Sequence, residues 1–385
     1  MTKKWTTSDF PVGLYHLHKD PSVNFQMNRF YNWTNDKSML AEMQNTCNAI
    51  HSYSDLIKSF IELGEISLKK NEKLKAAYYF RGAEFYMPDS NPDKQKLRKR
   101  FISLTCDFYG IQENQHSMIP YQNGYLSAYR ISPENPKSTI VFFGGFDSYI
   151  EEFFLMTMIL KDAGYDVICF DGPGQGSALE DYNLPMTHEW EKPVKSILDY
   201  FRLNDVTLIG ISLGGYLSLR AAAYEKRVKK VIAYDILTDF FDVLTHQINP
   251  VYRDTFKDLM VHEKMEEINT ELKKLAEQNL MLQWGIMQGM HITGSKSPYE
   301  FFHKTLSYKT ETFSPLITQD VLLLAGQNDH YVPIKQFTDQ ILTLTKVRSL
   351  TARMFTPEES ADTHCQIGNL GLAADVMLNW IDQIP

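Results

Sequence analysis

Cysteine is scarce and scattered in this 385-residue chain: Cys47, Cys106, Cys169 and Cys365 form no C-x-x-C pair, so neither a zinc site nor a disulfide framework is expected. His16 and His18 have no third ligand near them in sequence, and neither a metal nor a cofactor is expected. No run of eighteen apolar residues occurs, and the opening Met-Thr-Lys-Lys-Trp-Thr-Thr-Ser-Asp-Phe lacks the apolar centre of a secretory signal. A cytoplasmic protein without a membrane partner is therefore the expectation. Positive charge is in deficit, with 39 Lys and Arg against 47 Asp and Glu and a formal net charge of −8, which argues against a general nucleic-acid or anionic-membrane role. The local basic run Lys94, Lys96, Arg98, Lys99 and Arg100 reads as a solvated helix face. Phosphate-binding signatures are missing as well. Asp171-Gly-Pro-Gly-Gln-Gly lacks both the Gly-Lys-Ser/Thr ending of a P-loop and the G-x-G-x-x-G spacing of a dinucleotide fold, so it reads as a loop at the rim of an active site.

What the chain has is a serine in a particular setting. Residues 210–215 read Gly-Ile-Ser-Leu-Gly-Gly, directly after the apolar run Val206-Thr207-Leu208-Ile209 and before a helix-compatible stretch from Tyr216. This is a G-x-S-x-G nucleophile elbow, in which a sharp strand-to-helix turn exposes the Ser212 hydroxyl. A serine nucleophile needs a base and an acid to orient that base, following in the order Ser, Asp or Glu, His. Val321 to Ala325 is a short apolar run that delivers Asp329, and the strand-like Val347 to Phe355 leads into a loop holding His364. Ser212, Asp329 and His364 are thus the candidate triad, with Asp362 and Glu359 as rival acids ranked behind Asp329. The strand-like Thr139 to Phe143 ends in Gly144-Gly145-Phe146-Asp147, where a backbone oxyanion hole would form. The N–H groups of Phe146, with Gly145 as the near alternative, and of Leu213 are its expected donors.

From residue 117 onward, strand-like and helix-like segments alternate, the pattern of a mostly parallel sheet with helices on both faces. Asn123-Gly124 suggests an antiparallel hairpin at its start. Residues 1–116 are expected to be a helical region, with paired helices around Gly64; 117–236 and 319–385 the catalytic α/β domain; and 237–318 a helical cap, because some eighty residues are too many for a plain connection. The cap is rich in Met and aromatic residues, among them Trp284 and Met287, which suits a bulky apolar or aromatic substrate. Asp235 and Tyr234, at the end of the strand-like 228–234, are further candidates for substrate contact.

Four motifs carry a resemblance: Phe-Phe-Gly-Gly-Phe-Asp-Ser-Tyr followed by Glu151-Glu152; Phe170-Asp-Gly-Pro-Gly-Gln-Gly; Gly210-Ile-Ser-Leu-Gly-Gly-Tyr with Arg220-Ala-Ala-Ala; and His364-Cys-Gln-Ile-Gly-Asn. Together, over residues 139–370, they resemble the α/β-hydrolase group that includes fermentation-respiration-switch-type esterases, acylaminoacyl-peptidase-like hydrolases, 2,6-dihydroxypseudooxynicotine hydrolase and fungal polyketide-shortening hydrolases. The resemblance implies an α/β-hydrolase fold and the same three residues as triad. It does not choose between ester or amide hydrolysis and carbon–carbon bond hydrolysis of β-diketone-like aromatic substrates. A noncatalytic ligand-binding protein on the same fold is the third reading. A small-molecule or short peptide-like substrate and a homodimer are the expected partners.

Overall fold

The computed structural model describes residues 3–246, 248 and 250–384. Its centre is an eight-stranded sheet. The strands are β1 (His116–Tyr121), β2 (Gly124–Ile131), β3 (Thr139–Phe143), β4 (Asp166–Phe170), β5 (Val206–Ile211), β6 (Val228–Tyr234), β7 (Asp320–Gly326) and β8 (Ser349–Phe355), in the order β1-β2-β4-β3-β5-β6-β7-β8. From β4 to β8 all pairings are parallel, while β2 runs antiparallel to both β1 and β4. This is the α/β-hydrolase architecture. Strands β3, β4, β5 and β7 are buried nearly throughout, as near-continuous apolar runs must be when helices cover both faces. The β1–β2 hairpin is present, but Tyr121 pairs with Gly124 and the two-residue loop is Gln122-Asn123, with Gln122 at φ +50°. The turn therefore falls one residue earlier than the Asn-Gly pair suggests.

Residues before β1 are helical: Pro21–Thr34, Lys37–Thr46, Tyr53–Lys69, Lys73–Phe85 and Lys94–Tyr109. The expectation of a break at Gly64 is corrected. Gly64 lies inside the helix Tyr53–Lys69, and the turn comes at residues 70–72. A Cβ on Gly64 would sit 2.5 Å from the Phe80 ring, and one on Gly82 would sit 2.5 Å from the Phe60 ring. Each glycine is a notch for an aromatic of the facing helix, so it marks close approach rather than a turn. The basic run is corrected in part, since Lys96 and Lys99 are exposed as a solvated face requires but the other three are not. Lys94 and Arg98 are only 6% and 3% exposed, paired with Asp89 and with Asp181 respectively, and the Arg100 guanidinium lies 3.8 Å over the Phe80 ring.

Between β6 and β7 the helices Phe240–Thr245, Pro250–Val261, Met265–Gln278, Leu280–Thr293 and Pro298–Thr305 form a layer with its own apolar centre, including Phe241, Met260, Ile268, Leu272 and Phe302. No helix among the described residues is long and apolar enough to cross a membrane.

Candidate active site

The C-terminal ends of β5, β7 and β8 deliver the three expected residues to one point. Ser212 occupies the turn between β5 and the helix Leu213–Tyr224 with φ 61° and ψ −126°, a conformation outside the ordinary regions for a side-chain-bearing residue. Close packing enforces it: a Cβ on Gly210 would overlap the Gly214 carbonyl, so only glycine lets strand and helix approach this closely. The Ser212 Oγ lies 2.8 Å from His364 Nε2. The other ring nitrogen, Nδ1, lies 2.6 Å from Asp329 Oδ2. Asp329 Oδ1 in turn accepts the amides of Tyr331 and Val332 at 2.7 and 2.9 Å. The carboxylate is thus fixed on both oxygens, which sets the ring and its tautomer. The rival acids face elsewhere: Asp362 accepts from Asn328, and Glu359 binds Arg353 and the Thr356 amide.

Charge follows the same geometry. Burial opposes ionisation of Asp329, yet the adjoining His364 and the bonded amides hold its carboxyl below the usual range. Burial would likewise lower His364, but the Asp329 charge holds the imidazole well above its ordinary value. His330, beside Asp329, is pushed down to about 4 by burial.

Tyr234 and Asp235 are not where substrate contact requires them. Both are buried. The Tyr234 hydroxyl donates to the Cys365 carbonyl at 2.8 Å; Asp235 accepts the Cys365 amide at 2.7 Å and Gln366 Nε2 at 2.9 Å. Asp235 Oδ2 also stands 3.6 Å from His364 Nδ1. The correction has a physical reason: the loop after β8 folds over the end of β6, through left-handed Cys365 and Gln366 (both φ 50°), and takes up the polar groups that strand exposes. Burial and the nearby Asp329 charge push Asp235 up to about 7.

On the opposite side of Ser212, Gly145 packs against the elbow; a Cβ there would sit 2.8 Å from both the Leu213 nitrogen and the Ile211 carbonyl. The Gly145 amide is taken by Ser148 Oγ at 3.3 Å, which leaves Phe146 as the better of the two expected donors in this loop. Among the described residues the amides of Phe146 and Leu213 have no acceptor. The glycine-rich loop after β4 braces this segment: Gln175 Nε2 donates to the carbonyls of Gly144 and Gly145 at 2.8 and 2.9 Å, and its Oε1 accepts the Gly172 amide.

The Phe146 ring meets Phe240 and Phe301 of the helical layer between β6 and β7 at 5.4 and 6.2 Å. Trp284 stacks on Phe85 at 4.7 Å and donates its Nε1–H to the Phe85 carbonyl, so it pins that layer to the N-terminal helices. Met287 lines a cavity of about 1070 Å³ together with Leu272, Ile286 and Met290, and neither Ser212 nor Phe146 touches that space. The helix Pro21–Thr34 is not among the expected site elements, yet its Phe25 ring lies 6.2 Å from the His364 ring. Its start is marked by Asp20-Pro21, a cap residue followed by proline in the first turn.

Comparison with known proteins agrees with this reading of the fold. A family model described as the alpha/beta hydrolase fold matches residues 140–256. The Fusarium sp. protein named Hydrolase LUC6 is 26% identical over 338 residues, covering 80% of each chain. The 20-hydroxy-prefusarin hydrolase FUS2 of Gibberella moniliformis is 26% identical over 337 residues, covering 80% of this chain and 79% of its own. The crystal structure of the 2,6-dihydroxy-pseudo-oxynicotine hydrolase superposes with a TM-score of 0.57 at 19% identity, covering 86% of each chain. Residues 140–256 thus match the alpha/beta hydrolase fold family, and over about four fifths of its length the chain is similar to proteins named as hydrolases.

Proposed function

We propose that this hydrolase works by serine chemistry on an ester or amide. The observation that carries the reading is the relay from Ser212 Oγ through His364 to Asp329, at 2.8 and 2.6 Å. His364 Nε2 accepts the hydroxyl proton as the Ser212 oxygen bonds to the acyl carbon, and then returns it to the leaving oxygen or nitrogen as that bond breaks. A water molecule, deprotonated by the same imidazole, releases the acid and restores the serine. Asp329 keeps the proton of the resting ring on Nδ1. The Phe146 and Leu213 amides receive the negative oxygen of the tetrahedral state, at about 3 kcal/mol of barrier for each such donor.

Carbon–carbon bond cleavage needs in addition a polar anchor for a carbanionic leaving group. Tyr234 and Asp235, the strand-end candidates for substrate contact, are both engaged by the Cys365–Gln366 loop, so the ester or amide reading has the better support. The aromatic residues around Phe146 suit an apolar or aromatic acyl group on a small-molecule or short peptide-like substrate. A panel of nitrophenyl esters, acyl-amino-acid anilides and aryl β-diketones, assayed with wild type and Ser212→Ala, tests this: Ser212-dependent turnover of esters or anilides is expected. Turnover confined to the diketones would replace the reading with the carbon–carbon one.

A further inference from the structure

We propose that Arg81 and Arg29, on two of the N-terminal helices, are positioning residues that hold the Phe146 amide in place to receive the developing oxyanion. This rests on the oxyanion role assigned above to that amide.

The segment 144–147 is fastened on both sides of Phe146. On the side of the core, Gln175 holds the carbonyls of Gly144 and Gly145. On the far side the holding groups come from the N-terminal helices. Arg81 Nη2 donates to the Asp147 carbonyl at 2.6 Å, and Arg29 Nη1 reaches Asp147 Oδ1 at 3.0 Å. Both guanidinium groups are then fixed by one carboxylate: Glu152 accepts Arg81 Nε and Arg29 Nη2, each at 2.7 Å, and the Tyr149 amide at 3.1 Å. Glu152 lies in the short helix Ile150–Phe153 that continues the same loop. The Tyr78 hydroxyl donates to the Glu152 carbonyl at 2.7 Å, Arg81 also pairs with Glu84, and its guanidinium lies 4.1 Å over the Tyr149 ring. Burial opposes ionisation of Glu152, but the two arginines hold it below the usual carboxylate range.

Arg81 and Glu152 are 2% and 0% exposed. Buried charges this well paired are costly to separate, which makes the loop's two anchor points rigid. Fixing the carbonyls of residues 145 and 147 leaves the intervening Phe146 amide little freedom, while its N–H has no acceptor of its own among the described residues. A donor aimed in advance at the place where charge develops is what lowers the barrier. Placement of these arginines on the Pro21–Thr34 and Lys73–Phe85 helices makes the N-terminal region part of the site's machinery.

The test compares Arg81→Met, Arg81→Lys and Asp147→Asn with wild type, on the full chain, with active sites counted so that only folded enzyme is scored. Two readouts are taken: kcat and KM on a nitrophenyl ester, and the inhibition constant of phenylboronic acid, whose serine adduct puts an oxygen where the oxyanion forms. Arg81→Met is expected to lower kcat by about 100-fold with KM within threefold, and to weaken the boronate by a similar factor. Arg81→Lys should recover part of both. Asp147→Asn, at a partly exposed position that leaves the Arg81 contact in place, should cost about fivefold in both, and it decides the matter together with Arg81→Lys if Arg81→Met does not fold. A kcat and boronate affinity within twofold of wild type in the folded variants would overturn the inference while leaving Ser212 chemistry intact. Absence of Ser212-dependent turnover in the wild type would overturn the reading beneath it.

Discussion

The two sides of Ser212 are held by different parts of the chain. On the acid–base side, His364 and Asp329 stand on loops that leave β8 and β7, and the residues bracing them, Tyr234 and Asp235, end the neighbouring β6. The hydrogen bonds there join strand-end residues and the loops that follow them, while the Phe25 ring of the helix Pro21–Thr34 packs on His330, Tyr331 and His364. On the side of Phe146 the loop leaving β3 is braced from the segment after β4, by Gln175 and by Asp171, which accepts the Ile150 amide, and also from helices that precede it by more than sixty residues, through Arg29 and Arg81. On the proposed reading, substitutions at Arg29 and Arg81 should disturb the Phe146 amide while leaving the contacts among Ser212, His364 and Asp329 in place.

Substitutions can separate the two sides. The largest effect among them is expected at Asp329: with Asn there, turnover should drop by about 10⁴ in steady-state assays, as wrong-tautomer substitutions do in other triads. The pH profile should move as well. Because the Asp329 charge holds His364 above its ordinary pKa and only the neutral ring can accept a proton, kcat/KM should fall as pH drops through that raised value. Without the carboxylate burial prevails, and the acid limb of Asp329→Asn should shift to lower pH.

A loss of about 10² to 10³ in kcat is expected for Gly145→Ala, whose Cβ would press on the Leu213 nitrogen and the Ile211 carbonyl from 2.8 Å. Its acid limb should stay at the wild-type position, since nothing near His364 changes. A shifted limb in this variant would contradict the division into two sides.

Asp235→Asn should have a smaller effect than either, about tenfold in kcat, because one amide oxygen replaces the two carboxylate oxygens that accept separately from Cys365 and Gln366. It also removes a negative charge 3.6 Å from His364 Nδ1. The acid limb should therefore move to lower pH, by less than in Asp329→Asn, and a pH–rate profile of the two variants side by side checks that order.

The same contrast explains what was legible in the sequence. Ser212 and Asp329 follow buried strands and His364 follows the more polar edge strand β8, and in a parallel sheet strand ends gather at one edge, so local pattern was enough to bring them together. The elbow glycines and the β3 loop were legible for the same reason. Asp235 shares that strand-end position, but whether it faces substrate or a loop depends on how residues 360–366 fold across β6, and no local pattern records that. Arg29 and Arg81 sit in stretches that read as ordinary amphipathic or polar helix. Their burial arises from a partner more than sixty residues away. Gly64 misled for a related reason: a glycine that admits the Phe80 ring and one that ends a helix look alike until the facing helix is known.

The central claim is that the Ser212 hydroxyl, activated by His364, is the nucleophile. Intact-mass measurement after treatment with a fluorophosphonate tests it most directly. The wild type should gain a single adduct on Ser212, lose it as an option after heat denaturation, and show none in Ser212→Ala. Undiminished adduct formation in Ser212→Ala, or ester turnover by a wild type that never takes up the probe, would contradict it.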